Sequence, residues 1–402
     1  MTKPLSPRTT RELPELDPLL IWTDIPGTSL GVAASGVRKH GRDDLVVFRA
    51  PGNAAAVVTR STAIAAPCRW TRERVPGRIH AIIVNSGNAN AATGEQGERD
   101  VKTTALRAAE LLDCSADEVL VCSTGVIGVP MPMEKVLSGL ESAARDMTMS
   151  AERAANAILT TDTTLKQAGC LHEGFRVAGI AKGSGMVHPD MGTMLGFLVT
   201  DAAVRPQELQ DLLQRVTDRT FNAVTVDGDT STSDTVILQA TGTDEPLTPG
   251  SSSWRAFELA VEAVCRSLAR SIAADGEGAS RLISVLVEGL QTDEDAAEAA
   301  RAIASSNLVK CAVHGADANW GRIVGALGAH SVPDLDQLDL DIAGIPVLRC
   351  GQPIPFDESE AKRALSQDEV LIHAHMPGSG RGEAWGCDLT HGYVDINARY
   401  RS

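Results

Sequence analysis

The chain has 402 residues, of which 43% are hydrophobic, 22% charged and only 3% aromatic. Against 37 basic side chains stand 52 acidic ones, a net charge of −15 that argues against a nucleic-acid backbone as partner. The scarcity of rings also removes the platforms on which bases stack. Length and composition suit a soluble globular protein of two domains or one large one, with ample core.

The first 20 residues hold four prolines, several acidic residues and no apolar stretch, so they read as a loose leader and not as a secretory or transit signal. No apolar run of about 18 residues occurs, and no membrane span is expected. The eight cysteines form no Cys-x-x-Cys pair and read as reduced thiols of a cytoplasmic protein. From residue 21 onward, apolar stretches bounded by Gly, Pro and Asn predict strands at 30–34, 44–48 and 54–59, as in a meander. Another strand at 80–84 runs into Asn85-Ser86-Gly87-Asn88-Ala89-Asn90-Ala91. That cluster makes a turn by composition, and it also brings amides and backbone N–H groups near a site.

Residues 97–112 predict a helix with Val101, Ala105, Leu106, Ala109 and Leu112 on one side. The strand at 119–122 stops at Ser123-Thr124-Gly125-Val126-Ile127-Gly128. Such an end reads as a turn. It also aims a hydroxyl and a backbone N–H at one point, which is what an oxyanion hole requires. A helix at 151–159 gives way to Thr160-Thr161-Asp162-Thr163-Thr164, and Lys182 follows in an uncharged Ala-Gly-Ser setting.

The centre of the chain is Gly192-Thr193, set between a Gly-rich approach and the apolar run 194–199. The plainer reading is a threonine that begins a buried strand. A chemical reading exists beside it. Gly192 has no Cβ, so its carbonyl carbon is open. Attack by the Thr193 hydroxyl followed by ester hydrolysis would cut the chain. Thr193 would then carry a free α-amine, whose ordinary pKa of roughly 7.7–8.0 suits a general base.

Beyond the centre, Pro206–Arg219 predicts a helix with Leu209, Leu212, Leu213 and Val216 on one face. A strand at 223–226 enters Asp227-Gly228-Asp229-Thr230-Ser231-Thr232-Ser233-Asp234, whose spacing departs from an EF-hand loop. A helix at 254–273 ends at Asp275-Gly276-Glu277-Gly278, where Glu277 is oddly placed for a merely solvated acid before the strand at 282–287. Asp293–Ser305 predicts a helix, and 315–323 a structural turn. His373 and His375 alternate on a strand without an evident third metal ligand. Residues 378–382 read as a hairpin turn.

These blocks together resemble the ornithine acetyltransferase (glutamate N-acetyltransferase) family. The carriers are Met191-Gly192-Thr193-Met194-Leu195, the Asn85 to Ala91 cluster, the Ser123 to Gly128 block, the Thr run, the Asp-rich loop, Asp275 to Ser280, Gly315 to Ile323 and the C-terminal segment. The chain departs from the family at Gly192, where Ala is usual, at Ser233 for Asn, at Ser280-Arg281 for Thr-Lys and at Ala318 for Pro. The resemblance implies an α/β fold (α+β type), with β-sheets packed with helices, and self-cleavage at Gly192-Thr193 into chains 1–192 and 193–402. It implies Thr193 as nucleophile, Thr124 and Gly125 as oxyanion hole, and Thr163, Lys182, Thr193, Glu277, Asn397 and Ser402 as substrate contacts, with Thr164 the alternative to Thr163. The implied reaction is a ping-pong acetyl transfer from N-acetylornithine to glutamate. Its expected partners are small amino-acid substrates and the two cut chains in an α2β2 assembly. No metal or organic cofactor is implied, and acetyl-CoA stays open as a co-substrate. Three further readings stay open: a related amidohydrolase or aminopeptidase in which water takes the acyl group, an acyltransferase of specialised metabolism, and a non-enzymatic binding protein that keeps the fold without cleaving.

Overall fold

The structure, a computed structural model, describes residue 5 and residues 12–38, 41–188 and 194–399. In the first half, strands β1 Ser29–Ala33, β2 Leu45–Val58, β3 Gly77–Asn88, β4 Val119–Val126, β5 Lys166–His172 and β6 Phe175–Lys182 alternate with helices α1 Ala66–Arg72, α2 Gly94–Leu112, α3 Met133–Arg145 and α4 Ala151–Ala157. The second half runs β7 Leu195–Thr200, α5 Pro206–Arg219, β8 Val224–Thr225, β9 Thr235–Ala240, α6 Ser252–Ala274, β10 Leu282–Leu290, α7 Asp293–Ser305, α8 Asn307–His314 and α9 Trp320–Ala329. It closes with β11 Asp339–Ile342, β12 Ile345–Arg349, β13 Gln352–Pro353, α10 Glu358–Ala364, β14 Glu369–His375, β15 Gly380–Cys387 and α11 His391–Arg399.

Among the described residues these strands form two sheets. The first has the order β4-β3-β2-β9-β7-β6-β5, with β1 paired to β2, and the second β13-β12-β11-β14-β10-β15-β8. β7 is buried at every position, which accounts for its unbroken apolar sequence. One face of the first sheet is covered by α5 and α6, whose Leu212, Val216, Phe257, Val264 and Leu268 pack with Leu198 and Val236. Trp385 of β15 joins the same core, so α6 lies between the sheets. On the opposite face Phe48 stacks on Phe197 and meets Trp22 edge-on. α7, α8 and α9 cover the second sheet.

Several expectations need correction. The strands expected at 44–48 and 54–59 are one 14-residue strand, Leu45–Val58. Its register shifts between Arg49 and Gly52, so Pro51-Gly52 is a bulge and not a turn. Gly52 is needed there because a Cβ would strike the Ala240 carbonyl. The leader is tied down where it is described: Asp17 N–H donates to the Gly169 carbonyl at 2.8 Å and Leu5 N–H to Asp341 Oδ2 at 2.6 Å. Residues 378–382 are no hairpin turn, because β10 lies between β14 and β15. The connection arches over the end of β10, with Gly378 N–H donating to the Gly289 carbonyl. Glycine is required at Gly289, where φ is +90° and a Cβ would run into the Met376 backbone. No helix of the described residues is long and apolar enough to cross a membrane.

Candidate active site

The ends of β4 and β6 meet at one buried point. β3 and β4 run parallel and in register, with Ser86 opposite Thr124 and Gly87 opposite Gly125. Gly125 has φ +134°, a conformation side chains rarely adopt, and a Cβ there would strike the Gly87 carbonyl carbon. The Asn cluster builds this strand end. Asn85 Nδ2 donates to the Asn88 carbonyl at 2.9 Å, Ser123 Oγ to Asn85 Oδ1 at 2.6 Å, and Asn88 Nδ2 to the Val129 carbonyl at 3.1 Å. Those amides therefore serve the scaffold.

Lys182 ends β6 and is 1% exposed. Its Nζ donates to Thr160 Oγ1 at 2.7 Å and to Thr124 Oγ1 at 3.3 Å. Because Thr124 Oγ1 accepts from an ammonium, its own hydroxyl hydrogen is left to donate elsewhere. Burial and then Lys166 lower the Lys182 pKa, while Asp162, Asp234 and Glu277 hold it up. Asp162 ties the cations together: its Oδ1 accepts from Lys166 at 2.8 Å and from Gly183 N–H at 2.6 Å, and its Oδ2 lies 3.9 Å from Lys182. Burial alone would raise the Asp162 carboxyl, yet Lys182, Lys166 and the hydrogen bonds hold it at about 2.

Glu277 follows the C-terminus of α6 and is 9% exposed. Its N–H donates to the Ser184 carbonyl at 2.8 Å. Gly185 lies so close that a Cβ would collide with the Glu277 carboxyl. Asn397, on α11, donates Nδ2 to Glu277 Oε2 at 2.7 Å. Asp227 folds the approach loop by accepting Met186 N–H at 2.6 Å and Val187 N–H at 2.9 Å.

Between these groups is a cleft of about 120 Å³. Thr124, Gly125 and Ile127 line one wall, Glu277 and Asn397 another, and Thr160, Thr161, Gly185, Met186 and the Ser231 to Ser233 hydroxyls the rest. It is small beside ordinary ligand pockets of about 300–1,000 Å³, and suits a small polar molecule. A larger, more open hollow lined by Arg38, Arg42, Asp43 and Arg153 lies elsewhere. There Arg153 is paired with Asp43, and Arg38 with the Leu159 and Thr160 carbonyls.

The structure thus gathers Thr124, Gly125, Lys182, Glu277 and Asn397. Thr163 is exposed and turned away: its hydroxyl and its N–H both bond Asp275, the latter at 3.0 Å. Thr164 N–H donates to Asp275 as well, and the threonines that line the cleft are Thr160 and Thr161. Gly192, Thr193 and Ser402 lie outside the described residues. Met194, directly after Thr193, donates its N–H to Asp234 Oδ1 at 2.8 Å. Sequence reasoning passed over Thr160, Asp162, Gly185 and Asp234. Asp162, an acid inside a run of threonines twenty residues before Lys182, was the one with a visible signal. Among the described residues no group of three or more His, Cys, Asp or Glu is placed to hold a metal ion. His373 instead bonds Glu288 at 2.8 Å.

Comparison with known proteins gives a consistent picture. Residues 29–402 match the ArgJ family. The chain is 48% identical to the arginine biosynthesis bifunctional protein ArgJ of Symbiobacterium thermophilum, over 89% of this chain and 92% of that protein. It is 45% identical to the protein of the same name from Geobacillus kaustophilus, over 93% and 95%. The crystal structure of the arginine biosynthesis bifunctional protein ArgJ of Bacillus halodurans superposes with a TM-score of 0.50 at 45% identity, covering 51% of this chain and 98% of that one.

Proposed function

The chain belongs to the ArgJ family, and from that premise we propose that it is a cytoplasmic glutamate N-acetyltransferase that cuts itself at Gly192-Thr193 and moves acetyl from N-acetylornithine to glutamate. The observation that carries this reading is the pairing of Lys182 with Thr124 beside Gly125, across a small cleft from Glu277 and Asn397.

In self-cleavage the Thr193 hydroxyl attacks the Gly192 carbonyl carbon. The acyl group moves from nitrogen to oxygen, and water hydrolyses the ester to leave an α-amine on Thr193. In turnover that amine takes the hydroxyl proton as Oγ1 bonds the acetyl carbon of N-acetylornithine. The oxygen that gains charge is met by the Thr124 hydroxyl and the Gly125 N–H. A single such donor is worth roughly 2.7–4 kcal/mol of barrier. Lys182, donating to Thr124, strengthens this hydroxyl as a donor. The amide C–N bond then breaks and the proton passes to the leaving ornithine amine. Glutamate's amine attacks the acetyl-Thr193 ester in the reverse sense. Glu277, nearly buried and held by Asn397, receives a cationic amine of the substrate.

Both sides of the proposed cut contribute to the first sheet, so the fragments stay together, and we extend the reading to an α2β2 assembly. The solved Bacillus halodurans chain is 98% covered by 51% of this one, a length relation that supports a chain divided near its middle. Intact-mass analysis of purified protein should give fragments 1–192 and 193–402. Incubation with N-acetylornithine should add one acetyl mass to the second. A full-length species that persists, or an acetyl group on another residue, would overturn the reading. The same experiment with acetyl-CoA decides whether it also loads Thr193.

A further inference from the structure

One carboxylate in the wall behind the cleft serves two buried lysines and has no part in the mechanism above. Lys166 on β5 and Lys182 on β6 are each 1% exposed, and the Asp162 side chain between them is sealed from solvent. Lys166 spends all three of its N–H groups, on Asp162 Oδ1 at 2.8 Å, on Asp275 Oδ2 at 2.6 Å and on the Thr164 carbonyl at 3.3 Å. Lys182 is held differently. Its Nζ donates to two neutral hydroxyls, Thr160 Oγ1 at 2.7 Å and Thr124 Oγ1 at 3.3 Å, while Asp162 Oδ2 stands off at 3.9 Å, beyond a hydrogen bond. A buried ammonium bonded to hydroxyls alone is costly unless a counter-charge is near.

Asp162 is kept at that distance by its own anchors. Oδ1 takes the Gly183 N–H at 2.6 Å as well as Lys166, and Oδ2 takes the Thr160 N–H at 3.1 Å. These donors come from the loop after β6, from β5 and from the segment after α4. The carboxylate is thus tied to the residue that follows Lys182 and to the main chain of the residue whose hydroxyl accepts from it. Burial lowers the Lys182 pKa, and Asp162 is the first of the groups that oppose this. Lys166 adds to the lowering, while Asp234 before β9 and Glu277 after α6 hold the value up. Within the cluster the charges of Lys166 and Lys182 are matched by those of Asp162 and Asp275.

We propose that Asp162 is the positioning residue of the oxyanion arrangement: it holds Lys182 as an ammonium aimed at Thr124 and stays too far away to take that N–H for itself. This rests on the oxyanion role given to Thr124 above. Lys182 lies behind the cleft wall and not in it, so its charge reaches a substrate oxygen through the Thr124 hydroxyl. A carboxylate in direct contact with Lys182 would draw the ammonium off Thr124, and no carboxylate at all would leave a buried cation that sheds its proton. Asp162, fixed by Lys166, Gly183 and Thr160, avoids both. Lys182 donates a hydrogen bond and keeps its proton throughout, so no proton is transferred within the cluster.

Asp162→Asn keeps the volume and one acceptor but removes the charge. In this variant kcat for acetyl transfer should fall roughly 10- to 100-fold, the worth of one bond to a charged group, with KM for N-acetylornithine within about threefold of wild type. The basic limb of kcat should move to lower pH, because Lys182 without its carboxylate loses its proton more readily. An unchanged kcat and basic limb would overturn the proposal. In a Lys182→Met background the same substitution should cost less than about threefold, since nothing is left to position, whereas a full second loss would make Asp162 a residue of the fold and overturn it. Should either single variant fail to fold or cut, the double variant Lys182→Met/Asp162→Asn decides, because it leaves Lys166 matched by Asp275. It should fold, cut and lack the wild-type basic limb. A double variant that keeps that limb, or that fails to fold or cut, would overturn the proposal. A wild-type chain that transfers no acetyl from N-acetylornithine overturns this and the preceding reading together, whereas normal wild-type transfer with an unperturbed Asp162→Asn removes this one alone.

Discussion

Thr124→Val is a sharp probe of the oxyanion arrangement, because it exchanges a hydroxyl for a methyl and leaves the shape alone. Thr124 is 1% exposed on β4, where Val is an equally good strand residue with the same stiff χ1. The bond lost in the folded state is the 3.3 Å contact from Lys182, while Lys182 keeps the 2.7 Å bond to Thr160 and the charge of Asp162 at 3.9 Å. The stability cost should therefore be near that of one ordinary hydrogen bond, about 0.5–1.5 kcal/mol. The rate cost should be larger, since a donor aimed at developing charge is worth roughly 2.7–4 kcal/mol, or about 10²–10³ in kcat. The assay is acetyl transfer from N-acetylornithine to glutamate followed by mass, with the melting temperature measured in parallel. Thr124→Ser should recover most of the loss. A variant whose kcat/KM stays within about threefold of wild type, or in which KM alone rises, would refute the oxyanion role.

Thr193→Ala should give a folded, uncut and inactive chain, and Thr193→Ser a chain that still cuts but turns over more slowly, because the methyl that restricts χ1 is gone; both are read by intact mass and transfer assay. Glu277→Gln should lower turnover about 10- to 100-fold, the worth of one charge-assisted bond of roughly 1.5–3 kcal/mol, while self-cleavage measured on a gel proceeds at a near-normal rate. Equal loss of both would mean that Glu277 serves the fold. For Asp162, whose carboxyl is held down from 3.8 to about 2, the folded-state value lies below the unfolded one. Its stabilisation is therefore complete above the unfolded value and is lost as pH falls through the folded one. Denaturant titrations across that window should show a loss of stability in wild type that is missing from Asp162→Asn, and parallel curves would count against the ion-pair account.

What could be read in advance follows from what local sequence determines. Helices Pro206–Arg219 and Asp293–Ser305 were legible to the residue because a Pro at the first turn and a capping threonine mark their starts. β7 was legible because both its faces are buried. The hairpin of β5 and β6 escaped notice because its two-residue turn is Glu173-Gly174, with φ of +49° and +88°, and Glu lacks the signal that Asn or Asp gives there. In the site, the run of five residues from Thr160 to Thr164 offers near-identical hydroxyls. Only Asp275, more than a hundred residues away, decides that Thr163 turns outward. Asp234 reads as one more acid in a polar loop, and its burial is a property of the packed sheet.

The strand order also explains why a cut at this place would leave the protein whole. β7 pairs with β6 through six registered residue pairs, Val177↔Thr200 to Lys182↔Leu195, and with β9 through six more. β9 in turn pairs with β2. A break between Gly192 and Thr193 would sever a connection between neighbouring strands and no ladder bond between them. The first sheet then reads as β4, β3 and β2 from one fragment, β9 and β7 from the other, and β6 and β5 from the first again. Neither fragment could leave without breaking two ladders and the apolar core that α5 and α6 make against them. Met194, whose N–H is held by Asp234 and whose carbonyl is held by Thr235, would anchor the new terminus at the rigid start of a central strand. With the chain fixed from Met194 onward, the cleft walls at Thr124, Gly125 and Glu277 would be left to aim the substrate.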